Sequence, residues 1–343
     1  MTTDLLDLPY DPRLDEGAKN AVYTCLDIQP DERVALITDR ETLEVGAALA
    51  TQLAEAAGHV DVVILEDVAD RPVIHLPLPM GNALEQADVS IFAATALPGE
   101  LAMRRAMTDI VNAGRMRHGH MVGITHRIML EGMRADYRVV AELTQWVCEL
   151  ASRAREITCE TPAGTAIRAV FDPAIRWIPT PGIITPDKWG NLPGGETFTA
   201  PARVDGVFVV DGVLGSWMAL KYGDLRDTPL RITIVDSRIV DLECEYDEVL
   251  EDFRKYTLTD ENSNRVGEFA LGTNLAVKDV IGNMLQDEKI PGVHIAFGHP
   301  YSEHTGADWH SETHIDVVGR DFDVWFDGQP IMKRGRYLRN GKA

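Results

Sequence analysis

The sequence predicts an α/β fold for the first half of the chain and a mainly β fold for the second half. In the first half, short continuous apolar runs alternate with helical segments, which is typical of a parallel sheet with helices on both faces. After residue 155, short strands separated by turn residues take over. The length of 343 residues suggests two domains. We therefore expect a Rossmann-like scaffold domain over 1–155 and a mainly β domain over 156–343.

The first half shows regular strand–helix alternation. Apolar runs predict strands, and segments rich in Ala, Leu and Glu predict helices, one of which stops before Gly58 as helices commonly do. The predicted strands are 33–38, 60–65, 89–94 and 121–125, and the predicted helices are 17–26, 43–57, 82–87, 100–113 and 131–155. No GxGxxG motif follows the first strand. We therefore assign no dinucleotide cofactor to this half, which serves as a scaffold.

The second half alternates strands with turn signals such as Asp211-Gly212. The many prolines and glycines between Ile178 and Pro201 predict irregular backbone there. Predicted strands cover two segments within 157–171, then 206–213, 230–235, 238–242, 267–274, 293–297, 314–318 and 323–326, and predicted helices cover 246–256 and 277–285.

Composition excludes several classes of partner. With 33 Lys+Arg against 54 Asp+Glu, the formal net charge of −21 would repel nucleic acid and anionic membranes. The 4 cysteines are scattered, which favours reduced thiols. No apolar run approaches the ~20 residues of a spanning helix, and the acidic N-terminus is unlike a secretory signal. We expect a soluble, cytoplasmic protein.

The segment from His294 to Asp316 is the strongest chemical signal in the sequence. It holds five of the 10 histidines, beside several acids: His294, His299, His304, His310 and His314, with Glu303, Asp308, Glu312 and Asp316. Neutral imidazole nitrogens and anionic carboxylate oxygens together replace the hydration shell of a divalent cation. The sequence therefore predicts a metal site.

The period of a β-strand groups some of these residues. Residues two apart share a face, so His314 and Asp316 point the same way while Ile315 and Val317 enter the core. His294 likewise faces away from Val293, Ile295 and Phe297, beside Ala296 and Gly298, which leave room for an ion. Glu268 shares a face with Ala270 and Gly272, and a buried carboxylate there requires a compensating partner.

Other candidate residues are ambiguous from their own patterns. Glu196 follows the turn Asn191–Gly195, which could bring it close to an ion, but taken alone it reads as a solvated loop acid. Tyr301 after His-Pro is more often a packing residue, and Glu288 within Asp-Glu-Lys is more often an exposed helix end. The roles of His299, His304 and His310 stay open, with loop surface favoured for the first two.

Four motifs together resemble the aminopeptidase T family of dimetal metallopeptidases. They are Asn-Leu-Pro-Gly-Gly-Glu196 with Thr-Phe-Thr-Ala-Pro201, Gly-Glu268-Phe-Ala-Leu-Gly-Thr-Asn274, Asp-Glu288-Lys-Ile-Pro-Gly-Val-His294-Ile-Ala-Phe-Gly298 running on to Tyr301, and His314-Ile-Asp316. They occur in order through the second half. The fold is similar to that of the 2,5-dihydroxypyridine dioxygenases, which hold one iron with two histidines and an aspartate.

The resemblance implies a set of ligands. Metal ligation by Glu196, Glu268, His294, His314 and Asp316 is implied, with two divalent ions per chain (zinc, cobalt or manganese) and Tyr301 near them. It also implies a homodimer whose active sites lie in an internal cavity. The chain departs from the family in its shorter length, in a contracted segment between Tyr301 and His314, and in one extra residue between Glu288 and His294.

These features predict metal-assisted hydrolysis of an amide, most simply removal of the N-terminal residue of a short peptide. Glu268 or Asp316 would bridge the ions, Glu196 would act as general base and Tyr301 would stabilise the oxyanion. Glu303 and Asp308 are candidates for holding the substrate amine. One alternative is ring cleavage of a hydroxylated pyridine by a single Fe(II), and another is a non-catalytic metal-binding protein. No Gly-x-Ser-x-Gly elbow or cysteine signature supports covalent catalysis.

Overall fold

The structure is a computed structural model that describes residues 5–186 and 188–339. Its strands in chain order are β1 (Arg33–Thr38), β2 (His59–Ile64), β3 (Val89–Ala93), β4 (Arg117–His120), β5 (Glu156–Glu160), β6 (Ala166–Val170), β7 (Ile178–Thr180), β8 (Gly190–Asn191), β9 (Glu196–Thr199), β10 (Arg203–Val210), β11 (Leu230–Val235), β12 (Arg238–Glu243), β13 (Val266–Gly272), β14 (Gly292–Gly298), β15 (His314–Val318), β16 (Asp323–Phe326), β17 (Gln329–Lys333) and β18 (Arg336–Tyr337).

The α-helices are α1 (Asp15–Lys19), α2 (Leu43–Ala56), α3 (Leu65–Val68), α4 (Leu78–Glu85), α5 (Leu101–Gly114), α6 (His126–Leu130), α7 (Tyr137–Ala151), α8 (Ser216–Tyr222), α9 (Asp247–Thr257), α10 (Met284–Asp287) and α11 (Ser302–Thr305). Short 3-10 helices cover Leu5–Asp7, Pro12–Leu14 and Gly132–Arg134, and a π-helical turn covers Asn20–Cys25. Within the part of the chain that the structure describes, no helix has the length and apolar character needed to cross a membrane.

The chain forms two compact units. One contains Met1–Ala141 and Gly182–Gly194, and the other contains Glu142–Pro181 and Gly195–Ala343. The sequence-based division into 1–155 and 156–343 stays a prediction about independently folding domains. The units described here divide before residue 155, and they include in the first unit a segment that is distant in the sequence.

The first unit is built on a parallel sheet, as predicted. Its strand order is β2-β1-β3-β4-β8, and every neighbouring pair is parallel. Apolar side chains of the strands and helices pack into one cluster, including Ile37, Phe92, Met103 and Met107. This packing explains why the strands read as continuous apolar runs, because strands covered by helices cannot alternate with exposed polar residues.

One predicted strand of this sheet was misplaced, and one predicted helix was too long. The strand expected at 121–125 lies at β4, where the buried His118 and His120 replace the apolar residues that sequence patterns look for. His118 Nδ1 lies 2.8 Å from Ser90 Oγ, which satisfies its polar ring. The helix expected over 131–155 begins only at α7, because the Asp136 carboxylate accepts hydrogen bonds from the first N–H groups of that helix.

The second unit contains two antiparallel sheets, in agreement with the prediction of a mainly β domain. The larger sheet has the order β12-β11-β10-β6-β5-β16-β17-β18, and the smaller has the order β15-β14-β13-β9-β7. A single apolar cluster contains side chains from both sheets. Within it, the ring of Phe269 packs edge-on against that of Phe171, with 5.3 Å between the ring centroids. The ring centroids of Phe208 and Phe322 are 5.9 Å apart.

Three details of the second half of the chain differ from the sequence prediction. The segment 178–201 is not irregular throughout, because β7, β8 and β9 lie within it and Glu196 begins a strand. In place of the helix expected over 277–285, the structure has only the short helix α10. Before it, the Asp287 carboxylate binds the backbone N–H groups of residues 281–283, which replaces the bonds of a helix. Helix α8 and strands β17 and β18 were not predicted.

Candidate metal centre

Five polar side chains lie on one face of the smaller sheet of the second unit. Strand register pairs each of them with a glycine or alanine of β13 or β14: Glu196 with Gly272, His294 with Ala270, Glu268 and Asp316 with Ala296, and His314 with Gly298. These small partners leave space above the sheet for the longer side chains. The five residues that the sequence analysis proposed as ligands are therefore neighbours in the structure.

The opposite face of the same strands is apolar. Its side chains belong to the core cluster and include Phe269 and Leu271 of β13, Val293, Ile295 and Phe297 of β14, and Ile315 and Val317 of β15. The strict alternation that the sequence predicted for these strands is thus confirmed. Because a shift of one residue would move the apolar set out of the core, burial fixes the register of the polar set.

The polar atoms form a continuous group. His294 Nε2 lies 3.4 Å from Glu268 Oε1 and 3.6 Å from Glu196 Oε2. His314 Nε2 lies 3.7 Å from Glu268 Oε2 and 3.3 Å from Asp316 Oδ1. Glu268 is thus the central carboxylate, with one oxygen near each imidazole.

Glu268, His294 and Asp316 form a compact set of donors. One donor atom from each lies within 4.8 Å of the other two, and two of the three residues are buried. The ring of His314 is oriented for the same space, because its Nδ1 lies 2.9 Å from the carbonyl oxygen of His299. A carbonyl only accepts, so Nδ1 carries the hydrogen and the lone pair of the neutral ring is on Nε2, which is the atom near the carboxylates.

The electrostatics of this group indicate a need for positive charge. Burial disfavours a charged His294 ring, but Glu268 and Glu196 outweigh burial and raise the pKa of His294 to about 9. In the same way, burial is outweighed by Asp316, which raises the pKa of His314 to about 10. Both imidazoles therefore act as cations when the carboxylates have no other partner. A divalent ion can replace those protons.

Glu196 carries an oxygen that fits this picture. Its Oε2 is buried and has no hydrogen-bond partner among the described residues. A buried carboxylate oxygen left unsatisfied is costly, and a cation near His294 would remove that cost. The donor chemistry, two imidazoles among carboxylates, also matches what zinc, cobalt and manganese bind. The residues present thus fit a divalent ion.

Lys289 lies beside this group, and the sequence analysis did not identify it. Its side chain is 1% exposed, and its Nζ lies 2.6 Å from both Glu196 Oε1 and Glu288 Oε1. The interpretation of Glu288 as an exposed helix end is wrong, since its side chain is 12% exposed. The only sequence signal was a charged triplet that directly precedes Ile290-Pro-Gly, and nothing local distinguishes such a triplet from a solvated turn.

Tyr301 lies next to the same group. Its ring centroid is 4.7 Å from that of His314 and 5.7 Å from that of Phe198. Tyr301 has a positive φ of 49°, which is uncommon for a bulky residue and indicates that the surrounding structure holds it there. Burial, followed by the nearby carboxylates, raises the pKa of Tyr301 well above its usual value. The phenol therefore keeps its proton and can donate it in a hydrogen bond.

The remaining histidines and acids of the segment lie apart from the centre. The side chains of Glu303 and His304 are 57% and 50% exposed, and Asp308 and His310 are exposed. His299 is half-buried and accepts a hydrogen bond from the backbone N–H of Tyr301 at 2.9 Å. The structure thus separates a buried group of acids and imidazoles from a more exposed one, and His304 lies on the loop surface that the sequence analysis favoured for it.

Comparison with known proteins gives the same class that the site suggests. The model of the thermophilic metalloprotease (M29) family matches residues 134–321, which is more than half of the chain. The matched span contains Glu196, Glu268, His294, His314 and Asp316. The chain belongs to this family of metallopeptidases.

Individual relatives are more distant. Aminopeptidase AmpS of Bacillus subtilis (strain 168) is 29% identical over 171 residues, a match that covers 43% of this chain and 40% of AmpS. The matched region thus spans less than half of that curated relative. Wild-type AmpT from Thermus thermophilus has the same fold, with a TM-score of 0.69, 19% identity and coverage of 95% of this chain and 99% of AmpT.

A second solved structure also shares the fold. The 2,5-dihydroxypyridine dioxygenase from Pseudomonas putida KT2440 matches with a TM-score of 0.67 and 17% identity, covering 95% of this chain and 96% of the dioxygenase. At these identities, both structural matches establish the fold class and leave the reaction to be argued from the side chains.

We expect Glu268→Gln to abolish most of the affinity for a divalent ion. The change keeps the shape of the side chain but removes the central negative charge, so Zn²⁺ affinity measured by isothermal titration calorimetry should fall more than the roughly 10–100-fold that loss of an outer partner causes. Glu303→Gln, at an exposed acid of the same segment, is the matched control and should bind like the parent protein. Equal affinity of both variants would remove Glu268 from the site.

Proposed function

We propose that this chain is a metal-dependent hydrolase of the aminopeptidase type, which cleaves the amide bond after the N-terminal residue of a short peptide or of a related small amide. The observation that carries the proposal is the convergence of Glu196, Glu268, His294, His314 and Asp316 on one face of a sheet. Membership in a metallopeptidase family supports it, as does the name of the AmpS relative.

Glu268, His294, His314 and Asp316 would hold divalent metal, and Glu196 would be a further ligand, as the family resemblance implies. Glu268 has one oxygen near each imidazole. A bound ion of this kind lowers the pKa of a coordinated water and polarises the scissile carbonyl. The ion would be zinc, cobalt or manganese, because imidazole and carboxylate together suit these metals.

Glu196 is the proposed general base. Its Oε1 accepts hydrogen bonds from Lys289 Nζ at 2.6 Å and from Thr180 Oγ1 at 3.2 Å, so that oxygen is held in place. Its Oε2 has no such bond and lies on the side of His294. The free oxygen can take a proton from the attacking water and pass it to the leaving amine, which is the role of a positioned carboxylate in hydrolysis.

Tyr301 is the proposed donor to the oxyanion. Because burial and the nearby carboxylates raise its pKa, the phenol remains protonated throughout the range in which an imidazole–carboxylate site binds metal. Its ring already lies against that of His314. A hydrogen bond to the developing negative charge would stabilise the transition state more than the substrate.

The charge of the site favours a substrate with a positive end. Four buried or nearly buried carboxylates lie at the site, those of Glu196, Glu268, Glu288 and Asp316, together with the ammonium of Lys289. A free N-terminal amine is attracted by such an excess of negative charge. Glu303 and Asp308 remain proposed contacts for that amine, from the sequence alone. A homodimer and a cytoplasmic location are also proposals, which light scattering and cell fractionation would test.

A second candidate is oxidative ring cleavage by one Fe(II). Non-haem iron enzymes use two imidazoles and one carboxylate, the site contains both types of ligand, and the fold is shared with a dioxygenase. The buried Glu268 beside both imidazoles favours the hydrolase, since it adds a second carboxylate to the set.

The purified protein should hydrolyse an aminoacyl amide such as leucine p-nitroanilide after reconstitution with Zn²⁺, Co²⁺ or Mn²⁺. Removal of metal with a chelator should abolish the activity, because water then has no Lewis acid to activate it. Release of the chromophore is followed by its absorbance, and oxygen uptake with 2,5-dihydroxypyridine and Fe(II) is measured in parallel. Oxygen uptake without amide hydrolysis would replace the hydrolase by the second candidate.

Tyr301→Phe should lower kcat by roughly 10²–10³-fold while leaving the metal content unchanged, since loss of one oxyanion donor has that magnitude. Tyr246→Phe, at a residue that is 56% exposed, is the control and should retain full kcat. If Tyr301→Phe hydrolysed the amide at the parental rate, the tyrosine would have no part in stabilising the oxyanion.

A further inference from the structure

The place of Lys289 bears on how many ions the site holds. Its ammonium is buried and joins two carboxylates that come from different parts of the chain, Glu196 at the start of β9 and Glu288 after α10. Both Nζ–oxygen distances are 2.6 Å, so the ammonium is in direct contact with each carboxylate. One cation bridging two buried carboxylates is the arrangement that a second metal ion would have at these residues.

The backbone next to Lys289 packs closely against strand β13, and this packing places Lys289 at the site. Gly272 lies opposite Glu196 in the register of β13 and β9, and a Cβ on Gly272 would lie 2.0 Å from the carbonyl oxygen of Ile290. Only glycine therefore lets the chain around Lys289 approach the strand this closely. The carbonyl oxygen of Lys289 accepts a hydrogen bond from the N–H of Asn274 at 3.0 Å, which fixes the segment.

A second metal ion and this ammonium cannot share the position. An ion between Glu196 Oε1 and Glu288 Oε1 would contact the same oxygens as the ammonium, and two cations in contact in a buried site repel each other strongly. Withdrawal of the Lys289 side chain would leave the ammonium without its two partners in a buried place, which is costly. Glu196 and Glu288 are thus already neutralised in part by a group that belongs to the chain.

Charge balance points the same way. With neutral imidazoles, Lys289 and one divalent ion leave the four carboxylates of Glu196, Glu268, Glu288 and Asp316 with one uncompensated negative charge. A second divalent ion in place of the ammonium would bring the net charge to zero and remove that negative charge. A site that receives a cationic amine is better served by the first arrangement.

We propose that the ammonium of Lys289 takes the place of a second metal ion, so that the chain holds one divalent ion, at Glu268, His294, His314 and Asp316. This inference rests on the proposed function and changes the expected two ions per chain to one. Lys289 is then a positioning residue, which holds Oε1 of Glu196 and leaves Oε2 of that carboxylate for the water.

The test is the metal stoichiometry of the full-length protein. Metal-free protein is titrated with Co²⁺, followed by visible absorption, and the dialysed product is analysed for metal per chain. One equivalent is expected. Two equivalents would overturn the role of Lys289 and leave the proposed function standing, whereas no bound metal would overturn both.

Lys289→Ala gives a second measurement. Removal of the ammonium frees Glu196 and Glu288, so the folded variant should bind a second equivalent of Co²⁺. Lys221→Ala is the matched control, because Lys221 also pairs with a carboxylate, Asp252 at 2.8 Å, but its side chain is 47% exposed; it should bind one equivalent. A Lys289→Ala protein with parental circular dichroism that still binds one ion would overturn the assignment. If that variant does not fold, the stoichiometry of the parent protein decides alone.

Discussion

The second unit is organised around an excess of negative charge on one buried face of a sheet. Carboxylates in a protein interior are stable only when cations or hydrogen bonds compensate them. Here two imidazoles with raised pKa values and one ammonium supply part of the compensation. The Oε2 atom of Glu196 remains without a hydrogen-bond partner among the described residues. A divalent ion is the simplest group that completes the balance, and the proposed hydrolysis follows from that requirement.

The fold keeps this concentration of charge apart from the apolar core. Along β13, β14 and β15 the side chains alternate, so that aromatic and aliphatic residues such as Phe269 and Phe297 pack inward while acids and imidazoles point to the other face. Hydrophobic burial on one face thereby fixes the geometry on the other. Glycines and alanines beside the polar residues keep the space open, and Gly272 admits the segment that carries Lys289.

The sequence predicted those parts of the site that depend on the period of a strand. The faces of Glu268, His294, His314 and Asp316 follow from alternation alone, and the structure has that alternation. Lys289 was not predicted, because its place depends on a contact between distant segments and not on a local pattern. The same limit explains why β4 was misplaced, since buried histidines there replace apolar residues. It also explains why the start of β9 at Glu196 was not predicted, because proline and glycine precede it.

The chain belongs to a metallopeptidase family, has the fold of wild-type AmpT and carries a buried ammonium at Lys289. We propose that acids and imidazoles on one face of the smaller sheet hold a metal ion. Anomalous diffraction from crystals grown with Zn²⁺ and measured at the zinc edge tests that claim most directly. We expect one strong peak enclosed by Glu268, His294, His314 and Asp316, with Lys289 still in contact with Glu196 and Glu288. A peak elsewhere on the chain, or no peak among these residues at saturating Zn²⁺, would contradict it.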